Sequence, residues 1–220
     1  MEIQELLVNV LTVAVLAWFG SRLFLAARHT FTTRAIADRS LLVVRGLRPR
    51  HFVPVPFVLA GVVATWTLLS FLPGLSFGWW SAIGGAGNPA VGSTEATAGT
   101  PLEYLLPLVF LTLLIPSLPL FVEAEERMFR LGAEEWSWPK RLKKAVTFGL
   151  VHAIIGIPIA VALALSVGGL WFTFAYLRGY RRGGRVEALL ESTRMHLAYN
   201  TTIVTVVYVS FVLFAAASLS

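Results

Sequence analysis

An all-α fold, a polytopic bundle of about six transmembrane helices, is predicted by three features of the sequence. Hydrophobic residues make up 56% of the 220 and charged ones only 14%, with a mean hydropathy of +0.73, the composition of a membrane protein. Apolar runs recur at lengths that cross about 30 Å of hydrocarbon as helices. Between them, Lys and Arg gather in a few connections instead of spreading evenly. Counting interfacial or broken helices separately raises the expected number to seven or eight, in a single integral membrane domain over residues 1–220.

The first run, Leu6 to Ala27, follows Glu2 and Glu5 and has no basic leader, so it reads as a retained span and not as a cleaved signal peptide. Arg28, Arg34, Arg39, Arg45, Arg48 and Arg50 then form a basic connection, cytoplasmic by the positive-inside rule. A second span, Phe52 to Leu72, tolerates Pro54 and Pro56 in its first turn, where few backbone donors have helical partners. Residues 73–101 are rich in Gly, Ser and Thr and read as a flexible extracytoplasmic loop with Trp79 and Trp80 as interface anchors.

A third span, Leu102 to Val122, carries Pro107, Pro116 and Pro119, which are expected to kink it or open its backbone. It leads into Glu123, Glu125, Glu126, Arg127 and Arg130, and Lys140 to Lys144 follow as a second cytoplasmic connection. The apolar stretch 145–177 is too long for one span, and Gly156 with Pro158 divides it into a short helix, 142–156, and a longer one, 159–178. Arg178 to Arg185 return the chain to the cytoplasm, and a last helix runs from Val186 to Ala217. Both termini then lie outside. All 18 Lys and Arg fall at the cytoplasmic side, so the net charge of +6 reports orientation and nucleic acid is not an expected partner. With no cysteine, thiolate chemistry and Cys-based metal sites are excluded.

Ionisable groups at membrane depth usually face a bundle interior or a wet cavity, which makes the charged cluster after the third span the candidate centre of function. Two of the four histidines, His152 and His196, also fall inside apolar helices. Each sits roughly 15 Å from a cytoplasmic helix start at 1.5 Å per residue. Residues four apart share a helix face, which pairs Glu126 with Arg130, Phe148 with His152 and His196 with Asn200. Glu126 and Arg130 are expected as an internal ion pair, Glu125 points about 100° away from Glu126, and Glu123 and Arg127 read as solvated rim.

The blocks EERMFR (125–130), FGLVH (148–152) and HLAYN (196–200) resemble the EExxxR, FxxxH and HxxxN motifs of the CAAX-protease and bacteriocin-processing family, also called CPBP or Abi. The similarity covers a motif-bearing core from residue 102 to 218. Leu131 stands where a glycine often follows the motif arginine, and the segment between Tyr176 and His196 is longer and more basic than the family's usual turn. The resemblance implies a glutamate-dependent intramembrane endopeptidase acting on a membrane-associated protein or peptide. Glu125 would be general base on a water held with His152, while His196 and Asn200 would donate to the oxyanion. Glu126, Arg130 and Phe148 would support them, with no cofactor and an opening to the cytoplasm.

Three other readings compete. Glu125, His152 and His196 could form a two-His, one-carboxylate site for a divalent metal, although no HExxH pattern is present. A non-catalytic scaffold or bacteriocin-immunity protein could keep the same residues as a polar core. A transporter or channel would need a continuous polar path, and the extracytoplasmic halves of these helices are almost wholly apolar.

Overall fold

The computed structural model of the protein describes residues 3–88, 90–95 and 97–218; Glu2, expected just ahead of the first span, lies outside them. The fold is all-α apart from a two-residue hairpin. Helix α1 (Ile3–Thr32) is followed by α2 (Arg34–Arg45), short α3 (Pro49–Phe52) and α4 (Val55–Ser70). After α5 (Trp79–Ala82) and strands β1 (Gly87–Asn88) and β2 (Ser93–Thr94) come α6 (Leu102–Phe129), α7 (Trp138–Val151), α8 (Ile159–Ala164) and α9 (Ser166–Ser218). Many large apolar side chains face outward, Phe57 and Phe71 among them. An apolar exterior of this extent suits lipid better than water.

Among the described residues, four helical runs are long and apolar enough to cross a membrane: Leu6–Thr32, Pro49–Ser70, Leu102–Glu135 and Ile159–Phe214. The expected count of about six is therefore not met. The stretch 142–156, expected as a short fourth span, holds α7, only 14 residues long, whose basic residues dilute its hydropathy. The expected fifth and sixth spans form one helical run.

That run does not continue straight. Gly183 and Gly184 leave helical geometry, Gly184 at φ +69°, a region L side chains rarely adopt. The legs on either side fold together so closely that a Cβ on Gly179 would stand 2.8 Å from the Cα of Ala188 and from the Glu187 carbonyl oxygen. The last two expected spans thus survive as the two legs of a helical hairpin.

Two further expectations change. Helix α6 runs unbroken through Pro107, Pro116 and Pro119 to Phe129 and takes in Glu123 to Arg127, as the helical spacing of the cluster required, with Arg130 capping its end. The segment after α4 is partly ordered: Trp80 is buried and donates its indole N–H to the Ala86 carbonyl at 3.1 Å, so it is no interface anchor. Trp79 remains partly exposed and donates to Ile154 O at 3.1 Å. Ile159 and Ala160 donate backbone N–H groups to Phe77 and Leu75, which ties the start of α8 to this segment.

The core positions the site. Phe129, Phe148, Phe172, Met195, Ala198 and Tyr199 form one buried cluster with Val55 and Val58, drawing α4, α6, α7 and α9 around the charged end of α6. Contacts between α6 and α9 are the most extensive in the fold.

Candidate active site

Three helices supply the candidate residues: α6 carries Glu125 and Glu126 and is capped by Arg130, α7 carries Phe148, and α9 carries His196 and Asn200. His152 begins a 3-10 turn, His152–Ile155, that directly continues α7. Because Glu125 and Glu126 are adjacent on one helix, their side chains diverge by about 100°. One is fully buried and the other opens partly to the outside.

Glu126 is the buried member, with no exposed side-chain surface. Its Oε1 lies 2.8 Å from Nδ1 of His196 and 3.2 Å from Nη1 of Arg130, and its other oxygen accepts from the Ser192 hydroxyl. A carboxylate taken out of water needs such partners, since desolvation of an unpaired charge costs several kcal/mol. The Glu126–Arg130 ion pair read from the spacing is present. Ser192 also lies at 2.9 Å from the Phe172 carbonyl oxygen.

Glu125 retains 33% of its side-chain exposure, and its Oε2 lies 3.6 Å from Nε2 of His196. That oxygen is buried and has no hydrogen-bond partner among the described residues. The separation exceeds a direct hydrogen bond. His196 therefore stands between two carboxylates, one fixed and one open.

Aromatic rings hold the imidazole in place. Phe172 stacks on His196 with centroids 4.2 Å apart and planes at 18°, and Phe148 meets it edge-on at 5.4 Å. The Arg130 guanidinium lies 4.0 Å above the Phe148 ring, a cation–π contact that partly offsets its own desolvation. Arg130 also donates to Gly169 O at 3.3 Å. Phe148 is thus the packing hub for Arg130, His196 and His152.

His152 is placed differently from the expectation that it and Glu125 share a water. Its Nδ1 donates to Phe148 O at 2.8 Å, and its ring stands edge-on to Phe148 at 4.9 Å. Among the described residues Glu125 forms its ion pair with His196 and none with His152. The Nδ1 bond fixes a proton on that nitrogen and leaves Nε2 as an acceptor in the neutral ring. Asn200 follows His196 by one turn, half-buried, and its side chain hydrogen-bonds to none of the described residues.

The rim reading holds for Arg127, which is exposed, but not for Glu123. Glu123 is buried, with Arg127 at 2.6 Å and Arg39 of α2 at 2.9 Å from its two oxygens. The first basic connection thus closes over α6 instead of leaving Glu123 to solvent. The proposed ligand triad does not gather: among the described residues no three His, Cys, Asp or Glu side chains converge as a metal-binding set.

Two members of the site escaped sequence reasoning. Ser192 is four residues before His196, so the spacing that pairs His196 with Asn200 also points to it. Phe172 carries no such signal, being one aromatic residue in an apolar helix. Compared with known proteins, the chain matches no family model, no curated protein and no solved structure.

Proposed function

We propose that the protein is an intramembrane endopeptidase of the CAAX-protease and bacteriocin-processing type, hydrolysing a peptide bond in a membrane-associated substrate with water activated by Glu125. The observation that carries this reading is the 3.6 Å separation of Glu125 Oε2 from His196 Nε2, with that oxygen buried and otherwise unpartnered. A half-exposed carboxylate beside an oriented imidazole is the arrangement a general base requires.

In this mechanism Glu125 takes a proton from the water as its oxygen attacks the carbonyl carbon. His152 Nε2 accepts the second water hydrogen and orients the nucleophile. His196 acts here as the imidazolium, giving its Nδ1–H to Glu126, which steadies it as a carboxylate steadies the histidine of a hydrolytic triad, and its Nε2–H to the oxyanion, and Asn200 adds a second donor. Glu125 then returns its proton to the leaving nitrogen as the C–N bond breaks.

The membrane topology belongs to the same proposal. Basic connections face the cytoplasm under the positive-inside rule, which puts the active-site end of α6 on that side; both termini lie outside when α7 and the turn after it, which ends where Ile159 and Ala160 meet Phe77 and Leu75, are taken as one more crossing. The hairpin at Gly183–Gly184 supports this arrangement, because it returns the last run to the basic end between its two legs.

The saturated contacts of Glu126 favour a second reading, a non-catalytic scaffold or immunity protein with a structural polar core. Full chain reconstituted in liposomes with a panel of membrane-anchored peptides separates the two by mass spectrometry of the products. Fragments formed by wild type and absent with Glu125→Gln support the protease. Peptides left whole by both, or cut equally by both, support the scaffold. Cleavage lost in chelator and restored by a divalent cation would assign the water to a metal instead.

A further inference from the structure

Away from the candidate active site, a second charged cluster joins α3 to the hairpin of α9. Glu191 is wholly buried, and three guanidiniums converge on its carboxylate: Arg178 at 2.8 Å, Arg50 at 3.2 Å and Arg182 at 3.7 Å. His51, also fully buried, accepts the Arg48 backbone N–H on Nδ1 at 2.8 Å. Its Nε2 lies 3.4 Å from Glu191 Oε2 and 3.4 Å from Nε of Arg50. Three guanidiniums against one carboxylate leave a net of two positive charges. Glu187, the neighbouring acid on this leg of α9, pairs with none of the three among the described residues.

The geometry leaves these cations open on one side. Arg50, Arg178 and Arg182 keep 55%, 39% and 51% of their side-chain exposure while the carboxylate beneath them has none. A guanidinium carries five donors, and one shared carboxylate cannot satisfy fifteen. Nε of Arg178 is buried and has no hydrogen-bond partner among the described residues. The cluster borders the Gly183–Gly184 turn and the start of α4, where the apolar helices give way to basic connections. At a membrane that level is occupied by phosphate headgroups.

We propose that Arg50, Arg178 and Arg182, gathered over buried Glu191, form a binding site for a phosphate group, presented by the headgroup of an anionic lipid. Tetrahedral phosphate oxygens accept from forked guanidiniums at short range, and basic pockets between helices at this depth hold acidic headgroups. Glu191 fixes the three side chains in advance, which lowers the ordering cost of binding. The site depends on the membrane reading of the fold but not on the protease reading.

Native mass spectrometry of the full chain in neutral detergent tests the site. The probes are dioleoyl phosphatidylglycerol, dioleoyl phosphatidylcholine and inorganic phosphate. The expected result is one tight phosphatidylglycerol adduct, weakened about 100-fold in Arg50→Gln/Arg182→Gln and within about twofold of wild type in the exposed control Arg28→Gln/Arg34→Gln. Arg182→Gln alone, half-exposed and the most distant from Glu191, should weaken it about tenfold and keeps the test valid if the double variant misfolds. Displacement of the lipid by millimolar inorganic phosphate would sustain the phosphate site and assign its ligand to solution. Phosphatidylglycerol bound equally well by Arg182→Gln, weakened as much by the control pair, or bound no better than phosphatidylcholine with phosphate also unbound, overturns it.

Discussion

Nδ1 of His196 meets Oε1 of Glu126 at 2.8 Å, joining α9 to α6 across 70 positions of sequence. Because the same carboxylate also holds Arg130 and Ser192, one buried acid sets the position of an imidazole, a guanidinium and a hydroxyl. Glu126 organises the cluster, and the proposed protease reading gives the chemistry to its partly exposed neighbour Glu125.

Replacing the organiser should show first in stability. Glu126→Ala leaves the buried Arg130 without its ion-pair partner, and removing one member of a buried pair typically costs about 3–5 kcal/mol. The expected outcome is a large fall in the melting temperature of the detergent-solubilised protein, read by intrinsic fluorescence. Ser192→Ala removes one hydrogen bond to the same carboxylate and should cost less, about 1–3 kcal/mol. An unchanged melting temperature in Glu126→Ala would deny the acid its organising role.

The hairpin of α9 supplies a packing test. A side chain on Gly179 meets backbone of the opposite leg at 2.8 Å, which cannot move aside as a flexible side chain would. Gly179→Val should force the legs apart, with overpacking costs of about 1–3 kcal/mol and faster proteolysis at the Gly183–Gly184 turn. Equal protease resistance in wild type and variant would place the legs farther apart than this fold has them.

At the entrance, Arg39 and Arg127 share Glu123. Arg39 is about one-third exposed, so solvent screening limits the worth of its pair to about 1 kcal/mol or less. Arg39→Ala should therefore lower the melting temperature only slightly, and raising the salt concentration should narrow the difference from wild type. A loss that persists at high salt would mean that Arg39 acts through packing of its stem and not through charge.

His152 separates chemistry from packing. It is half-buried, and among the described residues its side chain hydrogen-bonds to Phe148 O of its own turn alone. His152→Ala should leave the melting temperature close to wild type while cleavage of a susceptible peptide falls by about 100-fold, the usual range for a lost acid–base group. A parallel collapse of stability would make it a structural residue.

How much of this could be read in advance depends on the range of the interaction. The pairing of Glu126 with Arg130 follows from helical spacing, and the facing of His196 toward the charged end of α6 follows from depth counted along two helices. Helix α6 continues past Val122 to Phe129. Hydropathy alone ended the helix too early there, since charges inside a buried helix resemble charges beyond its end. The exchange of roles in which Glu126 and not Glu125 grips His196 turns on a rotation of one residue, which no local pattern fixes.

Longer-range features left no trace of their own. Arg39 reaches Glu123 across 84 positions and His51 reaches Glu191 across 140, and a single sequence records neither coupling. The span count erred for a related reason. Lys140, Arg141, Lys143 and Lys144 belong to α7 itself and not to a loop ahead of it, which removes its apolar character, while Gly183–Gly184 turn the chain within a run that stays helical on both sides.

The central claim is that Glu125, and not its buried neighbour, activates the water. The most direct measurement is the single-turnover cleavage rate of a membrane-anchored peptide by reconstituted Glu125→Gln, compared with wild type at matched melting temperature. Loss of the base should lower that rate by at least about 100-fold with the fold intact, since Glu125 Oε2 holds no hydrogen bond that the native structure needs. A folded Glu125→Gln protein that cleaves at the wild-type rate would contradict the account.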